Sequence, residues 1–286
     1  MHGKVAVITG GNSGIGKETA VALAAMGAHV VIAARNPSKA AAAVKEVKER
    51  TEGAQVETLA LDLASFASVR AFAGAYTERF DHLDVLVNNA GVILRSRTET
   101  DDGHETQLQV NHLSHFRLTN LLREQLERAP AGRVVNVSST GHTYARGGLD
   151  FDDLEWSRRR YRGFGVYCAT KLANVLFTRE LANRWPATKV TANALHPGFV
   201  GSNFAREGDM GALGSVGMLV LRPFALSSAN GARTSVYLGS SPDVDGVSGQ
   251  YFYKCRVAKP SNAALDDEAA ARLWDVSAEL TDGNAD

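Results

Sequence analysis

The chain has 286 residues, 44% of them hydrophobic, with 31 Lys and Arg balancing 31 Asp and Glu. That is enough apolar material for a full buried core, and the zero net charge speaks against nucleic acid or an anionic membrane as the main partner. Two cysteines, Cys168 and Cys255, make neither a disulfide framework nor a metal set, which suits a reduced, cytoplasmic setting. The opening "MHGKVAVITGG" enters a strand at once, without the charged and apolar regions of a signal peptide. Strands are expected at Val5 to Thr9, His29 to Ala34, Gln55 to Ala60, Leu83 to Val87, Arg133 to Ser138 and Lys189 to Leu195. They are Val/Ile/Leu-rich without strict alternation, as strands covered on both faces are. Helices are expected between them, over Gly14 to Met26, Ser38 to Thr51, Ser65 to Phe80, Gly103 to Arg128 and Tyr167 to Trp185. Gly249 to Tyr253 reads as a last edge strand and Asp266 to Leu280 as a final amphipathic helix.

Strand then helix, repeated, predicts an α/β fold: a single-domain, Rossmann-type, doubly wound parallel sheet flanked by helices on both faces. No linker or repeat divides residues 1–286, although a cofactor half (about 1–140) and a catalytic and substrate half (about 141–286) are expected within the one domain. Two irregular insertions, Gly147 to Gly165 and Asn203 to Ser227, follow the carboxyl ends of strands, where such sheets bind ligands. Met210 to Ala229 is broken by Arg222, Pro223 and glycines, so no integral membrane segment is expected. His112 and His115 share a helix but have no nearby Cys, Asp or Glu in it, so no metal site is expected.

The first strand runs into "TGGNSGIG", Thr9 to Gly16, and then a helix. Glycines at 10, 14 and 16 let the backbone turn tightly and approach a pyrophosphate, whose charge the helix N-terminus favours. The G-K-[ST] ending of a P-loop is absent. The second strand ends "VVIAARNPSK", with Ala34 where a carboxylate would hold a free ribose 2′-hydroxyl and Arg35 directly after it. An arginine suits a 2′-phosphate instead, so NADP(H) is expected ahead of NAD(H). Further on, "VYCATKLAN" puts Tyr167 and Lys171 on one helical face. An ammonium beside a phenol lowers the phenol's pKa towards that of a working general acid. Taken alone, the pair reads better as a core edge tyrosine and a surface lysine, because that spacing is common. Cys168 points about 100° from Tyr167 and reads as a core residue. Arg158, Arg159, Arg160 and Arg162 read as a solvated loop face.

Together these stretches resemble the short-chain dehydrogenase/reductase family over nearly the whole chain. "TGGNSGIG" is similar to its cofactor loop, "NNAG" (Asn88 to Gly91) to the motif after its fourth strand, and "LDLAS" to its adenine-contacting segment. "VNVSS" with "YCATK" resembles its Ser and Tyr-x-x-x-Lys, and "HPGFVGS" its Pro-Gly cofactor clamp. The resemblance implies a catalytic set of Asn111, Ser139, Tyr167 and Lys171, with Ser138 as the alternative serine. It implies cofactor contacts from Gly10, Asn12, Ser13, Gly14, Ile15, Gly16, Arg35, Asp62, Leu63, Asn89, Ala90 and Gly91. Tyr167, Lys171, Pro197, Gly198, Val200 and Ser202 complete that set. Tyr167 would be the general acid/base, and Lys171 would tune it and hold the ribose. Ser139 would orient the carbonyl, and Asn111 would hold a relay water.

Within the family, "YCATKLANVLFTRELANR" and the tail around "SPDVDGVSGQYF" are most like the retinol dehydrogenases and WW-domain-containing oxidoreductases, though no N-terminal anchor or WW domain precedes them here. The expected function is therefore NADP(H)-dependent interconversion of a lipophilic aldehyde or ketone and its alcohol. Alternatives are a redox-sensing cofactor binder without efficient turnover and a double-bond reductase like protochlorophyllide reductases. The apolar, glycine-rich Met210 to Leu226 would be a lid, or else a subunit contact or buried helix. The resemblance also implies a homodimer or homotetramer.

Overall fold

The computed structural model describes residues 1–185, 189–198 and 226–282. Eight strands form one sheet in the order β3-β2-β1-β4-β5-β6-β7-β8. They are β1 (Val5–Thr9), β2 (His29–Ala34), β3 (Val56–Ala60), β4 (Val85–Asn88), β5 (Gly132–Val137), β6 (Val190–Leu195), β7 (Tyr251–Tyr253) and β8 (Arg256–Val257). All pairs are parallel except β7 with β8. Strand order reverses beside β1, so the carboxyl ends of β1 and β4 open a crevice at the switch point.

The strands divide their side chains between two cores, with a period of two. Val5, Val7, Val31 and Ala33 join Leu118, Leu122, Phe177 and Trp185 on one face. Ala6, Ile8, Val30 and Ile32 join Leu23, Ala40, Val47 and Leu238 on the other. The first core is covered by α3 (Phe66–Thr77), α5 (Ser114–Leu121) and α7 (Gly163–Arg184). The second is covered by α1 (Gly14–Ala25), α2 (Pro37–Arg50) and α8 (Ser228–Ser240). A final helix, α9 (Asp267–Asp282), packs along α7, where Trp274 meets Phe116 and Phe177.

Three features correct the sequence reading. The helix expected over Gly103 to Arg128 comes in pieces: α4 (Thr106–Leu108), a π-helical turn (Gln109–Leu113), α5 and α6 (Arg123–Arg128). Helix α8 was not anticipated, because "SANGARTSVYLGS" is poor in strong helix formers. It forms through Ser227, whose hydroxyl accepts from the Asn230 amide at 3.3 Å, and through close packing at Gly239. β7 is not the edge, since β8 lies outside it. The insertion at Gly147 to Gly165 is tied down: the Tyr161 hydroxyl donates to buried Glu105 at 2.8 Å, and the Glu105 amide donates to Glu155 at 2.6 Å.

Candidate active site

The turn after β1 carries Gly10 at φ +64° and Gly14 at φ +53°, conformations that favour glycine. Gly16 answers a different need: a Cβ there would lie 2.5 Å from the Gly10 carbonyl and 2.6 Å from Asn89 Nδ2. Helix α1 therefore starts hard against the loop. Its N-cap, Ser13, makes no side-chain hydrogen bond to the first turn, and no acidic residue lies there. Exposed first-turn amides and a positive helix end favour an anion at this place. Asn12 and Ile15 are half-buried along the same turn.

Thr9 locks the loop to the next strand. Its hydroxyl oxygen accepts from the Asn89 and Ala90 amides at 2.9 and 3.0 Å, and Asn89 Nδ2 donates to the Thr9 carbonyl at 2.8 Å. The same hydroxyl is 2.9 Å from His115 Nε2, while His115 Nδ1 is 3.2 Å from the Asn111 carbonyl. A carbonyl only accepts, so Nδ1 carries the proton and Nε2 accepts from Thr9. Burial holds His115 neutral, far below the usual histidine range. Thr9 and His115 were not among the residues predicted from sequence. Their signal was a polar side chain ending an apolar strand and a histidine inside an apolar helix.

Asp62 lies past β3, where its Oδ1 accepts from the Ala64 amide at 3.0 Å, and Leu63 beside it is buried. Arg35 is exposed at the end of β2, and no ion pair among the described residues holds it. Pro197 and Gly198, half-buried after β6, complete the described rim, with Gly198 at φ +85°. Val200 and Ser202 lie outside the described residues, as does Met210 to Leu226 except for Leu226 itself.

Asn111 sits in the π-helical turn. Its Oδ1 accepts from the Val92 amide at 2.7 Å, and Nδ2 donates to the Val92 carbonyl at 2.9 Å and Thr170 Oγ1 at 3.0 Å. A buried asparagine in a helix needs such partners, and a π turn is a common way to aim one at a site. At Gly91 a Cβ would stand 3.2 Å from Asn111 Oδ1 and 3.4 Å from Lys171 Nζ. Both polar groups thus flank the same small space.

The two serines after β5 part company. The Ser138 hydroxyl is buried and donates to the Lys171 carbonyl at 2.7 Å, pinning α7 to the sheet. Ser139 begins a 3₁₀ turn (Thr140–Tyr144), accepts from the Gly141 amide at 3.0 Å and favours the ionised form of the Tyr167 phenol. Lys171 is buried, donates to the Val137 carbonyl at 3.0 Å, and lies 5.7 Å from the Tyr167 ring centroid. Burial raises the Tyr167 phenol to about 12, opposed by the Ser139 hydrogen bond. Burial lowers Lys171 to about 8. The sequence reading had the lysine depressing the phenol, whereas desolvation is the largest influence on it and raises it. Cys168 is buried, with its thiol raised to about 11 by burial, as fits a core residue.

Outside this cluster, the aromatic rings of Phe164 and Tyr144 are exposed. Phe164 stacks beside Tyr167 at 6.4 Å and meets Tyr144 at 5.9 Å. Of the loop arginines, Arg159 lies over Trp156 at 3.7 Å and pairs with Asp150, whereas Arg158, Arg160 and Arg162 are exposed. A cavity of about 570 Å³ lies along α7, against Tyr144, Val166, Ala169, Ala173 and Leu273; neither Tyr167 nor Lys171 lines it. Among the described residues there is no cluster suited to a metal ion, and no helix is long and apolar enough to cross a membrane.

Residues 4–149 and 155–210 match the sequence profile of short chain dehydrogenases. The chain is 45% identical to Retinol dehydrogenase 12 of Homo sapiens over 98% of its own length and 87% of the relative's. It is 43% identical to Retinol dehydrogenase 14 of Mus musculus, over 97% and 85%. A crystal structure of an uncharacterised protein from Mycobacterium Paratuberculosis superposes with a TM-score of 0.77 at 36% identity, covering 98% of this chain and 94% of that one. An actinorhodin polyketide ketoreductase variant with NADPH superposes at 0.66 and 25% identity, over 87% and 94%. Sequence, fold and site agree: this chain belongs to the short-chain dehydrogenase family, in its retinol dehydrogenase branch, and is an oxidoreductase of that family.

Proposed function

We propose that the protein is an NADP(H)-dependent oxidoreductase that interconverts a lipophilic aldehyde or ketone and its alcohol. The observation that carries this reading is the Ser139–Tyr167–Lys171 cluster: a half-buried phenol, with Ser139 acting on it, on the helix face that holds a buried ammonium. The residues fit a dinucleotide. The uncapped start of α1 and the crowded glycine at 16 suit its pyrophosphate. Asp62 and Leu63 suit the adenine, and Asn89 to Gly91 with Pro197 and Gly198 suit the nicotinamide half. Arg35 is exposed, with no ion pair among the described residues, and suits a 2′-phosphate by charge-assisted bonds that an unphosphorylated ribose cannot make. The bound cofactor supplies or accepts the hydride.

The chain's own residues handle the proton and the geometry. At neutral pH a phenol raised to about 12 keeps its proton, the form that reduction of a carbonyl requires. Tyr167 gives that proton to the substrate oxygen, and takes one back in the oxidative direction. The Ser139 hydroxyl hydrogen-bonds the same oxygen and fixes its angle. Lys171 uses one donor on Val137, which leaves donors for ribose hydroxyls. Asn111 Oδ1 and Lys171 Nζ flank the space at Gly91, which suits a water relaying protons to Lys171. The exposed Phe164 and Tyr144 rings offer an apolar shelf beside Tyr167 for a flat, lipophilic substrate. The named relatives at 45% and 43% identity, both retinol dehydrogenases, put retinal among the first carbonyls to try.

The test is the nicotinamide absorbance change with NADPH and NADH against a panel of aldehydes and ketones that includes retinal. Oxidation of NADPH with formation of the matching alcohol is expected. Tight NADPH binding with no turnover on any carbonyl would overturn the enzyme reading.

A further inference from the structure

Behind Ser139 lies a buried polar cluster that the proposed reaction does not use. His142 is 1% exposed. Its Nδ1 is 2.7 Å from the Ser139 carbonyl, and its Nε2 is 3.1 Å from the Ser261 amide nitrogen. The carbonyl can only accept and the amide can only donate, so both partners specify one neutral tautomer, with the proton on Nδ1. Burial, which lowers His142 below the usual histidine range, agrees with that form. Beside the ring, the Tyr251 hydroxyl stands 3.4 Å from Nδ1 and 2.7 Å from His196 Nδ1. His196 stacks on Tyr253 at 4.1 Å and directly precedes the Pro197-Gly198 turn. One imidazole therefore joins the turn after β5 to the loop before α9, next to β7 and the end of β6.

We infer that His142 is a positioning residue for this site: its Nδ1–H, by holding the Ser139 carbonyl, sets the turn that presents the Ser139 hydroxyl to Tyr167. The turn has little room to vary. A Cβ at Gly141 would lie 3.3 Å from Tyr167 Cε1 and 3.4 Å from Ser139 Oγ, so there is no slack for a side chain between the turn and the phenol, and the Gly141 amide itself bonds Ser139 Oγ at 3.0 Å. Hydrogen-bonded geometry close to a reacting atom is where small displacements weigh most: a misplacement of about 1 Å can cost about a hundred-fold in rate. This inference rests on the oxidoreductase reading above, and its test is arranged so that the two fail separately.

His142→Asn and His142→Gln divide the two bonds. An asparagine amide nitrogen falls near the position of Nδ1 and keeps the donor to Ser139, but it loses the acceptor for Ser261. A glutamine oxygen reaches the position of Nε2 and keeps that acceptor, but its side chain gives Ser139 no donor, which leaves that carbonyl with the backbone amide of residue 142 at 3.1 Å. Both are neutral and both remove the ring from Tyr251, so each controls for the other's loss of packing. The expected result is kcat reduced about ten- to a hundred-fold in His142→Gln and by only a few-fold in His142→Asn. NADPH affinity by fluorescence titration should stay unchanged in both. Equal loss of kcat in the two, or unchanged kcat in His142→Gln with a lowered unfolding midpoint, would make His142 a structural residue only. If the wild type turns over no carbonyl, the oxidoreductase reading fails, and the readout becomes exchange of the Gly141 amide, which is bonded to Ser139 Oγ. Faster exchange in His142→Gln than in His142→Asn supports the positioning role, and equal rates overturn it.

Discussion

Lys171→Met should make the cofactor-free protein more stable at neutral pH while abolishing its activity. Burial moves the Lys171 ammonium from 10.5 to about 8, which amounts to about 3 kcal/mol against the folded state wherever the lysine is charged in both states. The sign follows from proton binding. Between pH 10.5 and about 8 the unfolded chain holds more protons at this residue than the native one, so stability falls as pH drops through that window. Below about pH 8 the penalty is complete. A methionine of similar length removes it and forfeits the bond to the Val137 carbonyl, worth about 1 kcal/mol. That carbonyl keeps Asn174 Nδ2 at 3.4 Å. The net gain is about 2 kcal/mol at pH 7, or several degrees in midpoint, shrinking to nothing at about pH 10 and turning into a loss of about 1 kcal/mol above about pH 10.5, where only the missing bond remains. Thermal and urea unfolding without cofactor at pH 7 and at pH 9.5 or above would show it. A variant less stable than wild type at pH 7, or a difference that does not change with pH, would refute the reasoning.

Gly16→Ala places a methyl 2.5 Å from the Gly10 carbonyl; NADPH affinity should fall more than about ten-fold with a lowered midpoint, and wild-type values for both would remove the close-approach argument. Ser138→Ala should cost about 1 kcal/mol of stability and leave turnover per folded molecule near wild type, whereas Ser139→Ala should lower kcat about a hundred-fold or more with little change in midpoint. The opposite pattern would exchange the roles of the two serines. Arg35→Ala should weaken NADPH binding about ten- to a hundred-fold and leave NADH nearly unchanged, and equal losses in titrations with both would end the case for a phosphate contact.

Much of the fold was legible because its strands are buried on both faces and so read as plain apolar runs, from Val5–Thr9 to Val190–Leu195. The elements that escaped are those whose sequence argues against them. Helix α7 starts at Gly163, four residues before the expected start, since glycine is a poor helix former. Yet a Cβ at 163 would fall 1.8 Å from the Leu94 carbonyl, so only glycine fits. The π turn at Gln109–Leu113 has no period that a helix pattern would reveal. At the site, the spacing of Tyr167 and Lys171 gave their shared face but could not give the depth at which they lie, and depth decides both pKa directions. Neighbouring serines looked alike in "VNVSS" until the sheet showed which hydroxyl turns into the core. His142 left no signal at all, because its partners come from Ser139 and from Ser261, far along the chain.

The most direct test of the central claim is to compare wild type with Tyr167→Phe in NADPH-dependent reduction of retinal and the wider carbonyl panel, alongside a fluorescence titration of NADPH. The account predicts unchanged NADPH binding and a turnover lower by about a hundred-fold or more in the variant, since it lacks the one proton that the site delivers. A Tyr167→Phe protein that reduces carbonyls at the wild-type rate would contradict it.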